Sequence, residues 1–395
     1  MVSPAFQQKL GESSCINCGQ CVAACPTGAL REKDAIEKVL AALRDPSKHV
    51  VVQHAPSVSV AIAEEFGMVG EDVDGQMTSL LRQIGFAKVF DTSFSADLTI
   101  MEEASEFVER VKSNGVLPMF TSCSPGWVKF VEEFYPEFIP NVSSAKSPME
   151  MLGAVIKSYY AEKNNIDPKT IYSVAIMPCT AKKFECQRPE MGSPDIDAVL
   201  TTRELGKLLK LFKLDFKNVE PSAPDTPFGD RSTAGKIFGA SGGVMEAALR
   251  TAYYFITGTN LKELKLEALR GMEGVKKATI KVNDLEVKVA VVSGLGNARK
   301  MLEAIKEGKE TIHFMEVMTC PGGCVNGGGQ PIDLDKEAVK KRMQKLYQID
   351  AEEKLRLSHE NPSIKRIYDE YLGKPLGHKS HELLHTHYTK RDVIR

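Results

Sequence analysis

The chain has 395 residues, 43% hydrophobic and 26% charged, with a formal net charge of −1. That length calls for two or three compact units with a sizeable core, and the balanced charge excludes a general attraction to nucleic acid or an anionic membrane surface. No apolar run approaches the ~18 residues of a membrane span. The N-terminal MVSPAFQQKLGESS lacks the basic start and apolar core of a secretory signal, so a cytoplasmic location is expected. Nine cysteines, odd in number and clustered, suit metal binding better than disulfides.

The first element is Cys15-Ile16-Asn17-Cys18-Gly19-Gln20-Cys21-Val22-Ala23-Ala24-Cys25-Pro26, a C-x2-C-x2-C-x3-C-P run of the bacterial [4Fe–4S] ferredoxin kind. Short spacings let successive thiolates curl round one cube. In two-cluster ferredoxins the fourth cysteine serves the other cluster, so either Cys25 closes the single cluster or the site is completed differently. Helical periodicity covers Asp34 to Arg44, and His49–Gln53 reads as a strand entering His54-Ala55-Pro56-Ser57. Helices near Val58–Phe66 and Met77–Ile84, a strand at Lys88–Asp91, a long helix from about Ala96 to Lys112 and a strand at Leu117–Thr121 follow.

A second set comprises strands at Tyr172–Met177 and Ala198–Thr201, then helices at Thr202–Phe212 and from Gly243 to about Ile256. Lys277–Lys281 and Glu286–Val292 read as a hairpin joined across Val282-Asn283-Asp284-Leu285, followed by a helix at Asn297–Lys306. Strands that alternate with helices imply mostly parallel, helix-covered sheets. The expected fold is therefore α/β and two-lobed. A small ferredoxin-like domain (1–45) precedes the central domain (46–331), and a charged helical arm (332–395) follows it.

Three cysteine motifs stand where strands end, the edge at which open α/β sheets bind ligands. They are Thr121-Ser122-Cys123-Ser124-Pro125-Gly126-Trp127, Met177-Pro178-Cys179-Thr180-Ala181-Lys182-Lys183-Phe184-Glu185 and the stretch from Glu316 to Pro331. In the last, the apolar run Ile312–Met318 delivers Cys320 and Cys324 to a turn containing Pro321, Gly322 and Gly323, with Gly327-Gly328-Gly329 beyond. Glycines there let backbone approach something bulky, and the paired cysteines suit iron–sulfur ligation. The C-terminal His378, His381, His385 and His387 invite a zinc reading, since the 381/385 pair can share a helix face. Capping and packing of the arm is the better account, because no cysteine or clustered carboxylate completes a site.

These three motifs resemble the signatures of the [FeFe]-hydrogenases, and the resemblance extends from Cys15 to the small-subunit-like C-terminal arm. It implies an H-cluster between the lobes: a [4Fe–4S] cube joined through a cysteine sulfur to a two-iron unit with CO, cyanide and an amine-containing dithiolate bridge. Cys179, Cys320 and Cys324 are implied as cube ligands, Cys324 also bridging to the two-iron unit. Lys182 matches the residue that hydrogen-bonds one cyanide, Pro56 and Ser57 the contacts to the other, and Met177 and Met318 the methionines packed round the two irons. A proton relay is implied through Cys123, Glu103, Ser143, Glu106 and Arg110, of which Glu103, Glu106 and Arg110 share a helix face by spacing.

One departure stands out. Where the family has two adjacent cysteines, a relay and then a cube ligand, this chain has Cys123-Ser124. Residue counts place Cys123 as relay and Ser124 as ligand, although serine oxygen is a harder, poorer partner for such clusters. A shifted loop in which Cys123 ligates, or a cube with a labile corner, stays open. Cys186 reads as a buried bystander. The implied activity is reversible interconversion of H2 with protons and electrons, the N-terminal cluster passing electrons to ferredoxin or an electron-transfer subunit, with maturation proteins supplying the two-iron unit. A hydrogen sensor and a non-catalytic cluster-assembly scaffold are the alternatives. Lys182, Pro56, Ser57, Met318 and the relay argue against a scaffold, which has no cyanide or proton path to serve.

Overall fold

In a computed structural model, which describes residues 10, 13–192, 194–283, 285–332 and 337–393, two four-stranded sheets form the centre. The first contains β1 (His49–His54), β2 (Lys88–Asp91), β4 (Ile171–Met177) and β5 (Ala198–Thr201), in the order β2-β1-β4-β5, parallel throughout. The second contains β3 (Met119–Phe120), β6 (Val275–Val282), β7 (Leu285–Ser293) and β8 (Phe314–Met318). Its order is β3-β8-β7-β6, antiparallel between β6 and β7 and parallel elsewhere.

The valine-rich strands suit sheets covered on both faces. Val50 and Val52 of β1 join one hydrophobic core while Val51 joins another. Val289 and Val291 of β7 likewise face one core, and Ala290 and Val292 the opposite one. The covering helices include α1 (Ile36–Arg44), α2 (Asp74–Ile84), α3 (Thr92–Lys112), α4 (Pro125–Phe134), α5 (Pro148–Val155), α6 (Thr202–Leu211), α7 (Gly243–Thr257) and α8 (Leu295–Lys306), with α9 (Glu337–Glu352) and α10 (His378–Leu384) in the C-terminal arm.

Helix α3 begins four residues before the expected Ala96. Asp91, the last residue of β2, accepts a 2.7 Å bond from the Ser93 amide and caps the helix one residue after the strand ends. It packs against both α5 and α7, so one helix touches the two halves of the core. The expected helix at Val58–Phe66 does not form. A single turn at Pro56–Ser59 is followed by a 3-10 segment, Ile62–Phe66, ending at Gly67 with φ 79°. Ser59 turns its hydroxyl back onto the Pro56 carbonyl, a local bond that competes with helix continuation. The strand expected at Leu117–Thr121 keeps two residues, since Pro118 has no N–H to give a neighbouring strand. The expected hairpin link includes Asp284, which lies outside the described residues.

The arm is bound by buried polar contacts. Asp350 of α9 pairs with Arg250 and Arg270 at 2.9 and 2.7 Å. Asp97 of α3 accepts from Ser358 and Asn361, and Glu102 of α3 accepts from Tyr368 and the Leu376 amide. Arg391 reaches Glu132 at 2.9 Å. Ile364, Ile367 and Leu384 enter the core that holds Phe94 and Leu98.

Candidate active site

Four parallel strands, β1, β3, β4 and β8, end in loops that meet at one cavity of about 90 Å³. Cys123, Ser124, Cys179, Cys320 and Cys324 all line it, together with Pro56, Ser57, Met177, Lys182 and Met318. Cys18 of the ferredoxin-like run lines it too, so the N-terminal segment forms part of the wall. Glycine makes the close fit possible. A Cβ on Gly327 would stand 2.2 Å from the Pro178 carbonyl oxygen, and one on Gly323 2.6 Å from the Ser241 amide.

The thiols are electrostatic neighbours. Burial pushes Cys320 far up, with Cys179, Cys18 and Cys324 adding to the effect. Burial also pushes Cys324 up to about 12, again with help from Cys179. Protein surroundings alone therefore keep these groups as neutral thiols, and a cationic metal assembly is what would draw out their protons. Among the described residues no three His, Cys, Asp or Glu side chains converge on a single-ion site. Thiols spread round an apolar space fit a multi-iron assembly better than one ion. The fully buried Ser57 hydroxyl lines the cavity and has no hydrogen-bond partner among the described residues. A bound group offering an acceptor would satisfy it.

Lys182 is a charged group in this dry wall. Burial would discharge it, but Glu185, 2.6 Å away, outweighs that and raises the ammonium above its ordinary value. The ammonium also donates to the Cys123 carbonyl at 3.3 Å.

From Cys123 a line of polar groups leads outward along α3. The thiol is raised well above its usual range by burial, then by Glu103. Glu103 is itself pushed up to about 8, first by burial and then by Glu106. Its Oε1 accepts from the Ser122 amide and hydroxyl at 3.3 Å, and its Oε2 is buried, with the Ser143 hydroxyl close enough to act on the carboxyl. Ser143 donates to Glu106 at 2.7 Å, and Arg110 donates to Glu106 at 2.6 Å. Arg110 is 16% exposed and Glu106 12%, so the line ends at solvent.

Cys123 and Ser124 differ in surroundings. Cys123 lies near Glu103 and Lys182. The Ser124 Oγ is 2.8 Å from the Thr319 hydroxyl and accepts from the Thr319 amide at 3.3 Å. Cys186 is half-buried, bonds the Lys183 carbonyl at 3.5 Å and does not line the cavity. In the ferredoxin-like run, burial raises Cys18, with Cys15 and Cys21 contributing. Cys25 lies 3.5 Å from the Thr27 hydroxyl, which holds it down at about 7. His381 and His385 stack with centroids 4.6 Å apart. Both nitrogens of His385 are engaged, Nδ1 with Ser144 at 2.8 Å and Nε2 with Glu102 at 3.0 Å, which is packing of the arm against α3.

Sequence reasoning passed over Gln20, Thr319 and Met149. Gln20 donates to the Cys320 sulfur at 3.1 Å and to the Asn326 carbonyl at 2.8 Å. Thr319 and Met149 line the cavity. Thr319 had a signal, standing between Met318 and Cys320; Gln20 and Met149 lie far from the motifs that they join in space.

The profile described as "Iron only hydrogenase large subunit, C-terminal domain" matches residues 48–328. "Iron hydrogenase small subunit" matches 336–391 and "4Fe-4S binding domain" matches 10–31. The NADP-reducing hydrogenase subunit HndD of Solidesulfovibrio fructosivorans is 52% identical over all of this chain, which covers 69% of that protein. Iron hydrogenase 1 of Clostridium pasteurianum is 48% identical over 92% of the chain, which spans 65% of its length. A cytosolic Fe-S cluster assembly factor of Xenopus tropicalis is 30% identical over 96% of the chain and 84% of its own length. The solved structure of an apo [FeFe]-hydrogenase variant from Chlamydomonas reinhardtii superposes with a TM-score of 0.81 at 44% identity, covering 91% of this chain and all of that one.

Proposed function

The chain belongs to the iron-only hydrogenase family, and on that premise we propose that it interconverts H2 with two protons and two electrons. Its cofactors are those of the family, an N-terminal [4Fe–4S] cluster and an H-cluster. When bound, the H-cluster supplies the redox-active irons at which H2 is formed or split. The rest is the work of the chain.

In this reading Cys179, Cys320 and Cys324 would hold the iron–sulfur cube, Ser124 would be its fourth ligand, and Cys324 would also hold the two-iron unit. Lys182 and the Ser57 hydroxyl would donate to its anionic ligands, beside Pro56. Ammonium and hydroxyl donors can hold anionic ligands that no side chain anchors covalently. Met177 and Met318 line the cavity and would exclude water from the bound irons. The carrying observation is the cavity itself, where three motif loops meet; the buried Glu103 and the Ser143–Glu106–Arg110 contacts support a proton path beside it.

Cys123 presents the proton at the cavity end. Burial keeps the thiol protonated, and Glu103 behind it is a carboxyl whose affinity lies near the working range of a proton carrier. Ser143 passes the proton between Glu103 and Glu106, and Arg110 holds Glu106 at the surface. Such a path favours catalysis over a cluster-assembly scaffold, which moves no protons, and over a sensor, which needs no rapid proton supply.

Electrons enter through Cys15, Cys18, Cys21 and Cys25, supplied by soluble ferredoxin or a separate electron-transfer subunit; maturation proteins deliver the two-iron unit. A cytoplasmic location belongs to the same proposal. Among the described residues no helix is long and apolar enough to cross a membrane. Anaerobic co-expression with maturation proteins tests the function. Infrared bands of metal-bound CO and cyanide together with H2 evolution from reduced ferredoxin are expected. Iron–sulfur content without those bands would make the chain a scaffold.

A further inference from the structure

Gln20 sits inside the ferredoxin-like run, between Cys18 and Cys21, yet its side chain ends on the third motif. Two backbone features bring it there. Gly19 adopts φ 73°, and a Cβ on it would meet the Thr180 hydroxyl at 2.4 Å. A Cβ on Gly328 would stand 2.1 Å from the Cys18 carbonyl oxygen, so the N-terminal loop and the glycine-rich turn touch backbone to backbone. The Thr180 hydroxyl ties the same loop by donating to the Asn17 carbonyl at 2.6 Å.

The amide orientation is fixed by chemistry. A backbone carbonyl accepts and never donates, so the end of Gln20 facing Asn326 O at 2.8 Å must be the NH2 group. Its second hydrogen is then available to the Cys320 sulfur at 3.1 Å. Cys320 is 7% exposed, so little water competes for that sulfur.

We propose that Gln20 is a potential-setting residue that couples the two iron–sulfur sites: its N–H···S bond favours the reduced form of the cube held by Cys320. This rests on the reading of Cys179, Cys320 and Cys324 as cube ligands. Taking up one electron makes the cube more negative, and the donor cluster at Cys15–Cys25 loses that electron; no bond is made or broken. A donor aimed at a ligand sulfur stabilises the more negative state more strongly, and hydrogen bonds to cluster sulfurs are among the means by which proteins set such potentials. Because the donor belongs to the loop of the neighbouring cluster, the electron's source and its acceptor are held in fixed relation by one side chain.

The test uses the full chain carrying its iron–sulfur clusters, produced without maturation proteins so that the two-iron unit is absent. Redox titration followed by electron paramagnetic resonance should resolve two midpoints. Gln20→Leu, close in size and lacking the donor, should move one midpoint negative by about tenfold in the reduced-to-oxidised ratio, or ~59 mV for one electron, and leave the other in place. Gln20→Lys, which restores an N–H donor, should bring it back toward or past the natural value. Two midpoints unmoved in Gln20→Leu, or both moved equally, would overturn the role of Gln20 while leaving the cube in place. A chain that binds a single cluster would overturn the reading of Cys179, Cys320 and Cys324 instead. Should Gln20→Leu fail to hold its clusters, Gln20→Glu decides: a carboxylate next to the sulfur must lower the same midpoint, and a midpoint unchanged in that variant refutes the inference.

Discussion

Glu103 carries a pH dependence with a definite sign. Its carboxyl is raised from 4.5 to about 8 in the folded chain, chiefly by burial. The folded state therefore holds a proton that the unfolded state releases between those values, and the associated stability is full below pH 4.5 and lost as pH rises through about 8. Thermal unfolding of the metal-free chain should show this fall, and Glu103→Gln should flatten it; identical slopes would contradict the burial argument. In the loaded enzyme, H2 evolution should decline as pH passes about 8, where Glu103 loses its proton, while H2 oxidation should gain a proton acceptor. Cys123→Ala should keep iron content and infrared bands but lose about 10²–10⁴-fold in turnover, and Ser124→Cys should strengthen cluster retention. Loss of the cube in Cys123→Ala would make Cys123 the ligand. The placement of Cys123, Cys179, Cys320, Cys324 and Lys182 round one cavity, and of Glu103, Glu106 and Arg110 along α3, was legible because each belongs to a local motif or a helical spacing. Gln20 and the Ser124–Thr319 pair were not, because loops distant in sequence make them neighbours.

Strand ends, the glycine turn and the starts of α6 and α7 could be read from the chain; the start of α3 could not. Thr92-Ser93-Phe94-Ser95 looks like a loop by propensity, yet α3 begins there because Asp91 caps it and burial of Phe94 and Leu98 outweighs weak helix formers. Asp91→Ala should cost about 1 kcal/mol or more through the lost cap, measurable by denaturant unfolding. The Asp91 carboxylate also lies 3.5 Å from Arg231, so a larger loss is the more natural result and no loss would refute the cap. The run Gly327-Gly328-Gly329 was legible as a turn that lets something approach closely; that the approaching body includes the backbone of Cys18 was not. Gly328→Ala should therefore push the N-terminal loop away from the third motif and slow electron entry from an external donor, leaving the cavity thiols in place. Equal rates of reduction in the natural and substituted chains would contradict that contact.

Over the whole molecule, the two-lobed α/β plan was legible from alternating strands and helices. The binding of the arm was not, because charged helices give no hint of where their charges will be buried. Asp350 shows the difference. Burial alone would raise its carboxyl, but Arg250, Arg356 and Thr233 outweigh that and hold it well below the usual range. Asp350→Ala would leave Arg250 and Arg270 without this counter-charge in the interior, at a cost of about 3–5 kcal/mol; an unchanged unfolding midpoint would refute the clamp. The covalent link of the arm has a further meaning in terms of mass action. A segment whose counterpart bears the name of a small subunit is here joined to its partner surface by the chain itself. Docking is thus unimolecular, with an effective concentration fixed by the tether and insensitive to dilution. Contacts such as His385 to Glu102 need not be strong enough to hold a free partner at cellular concentrations.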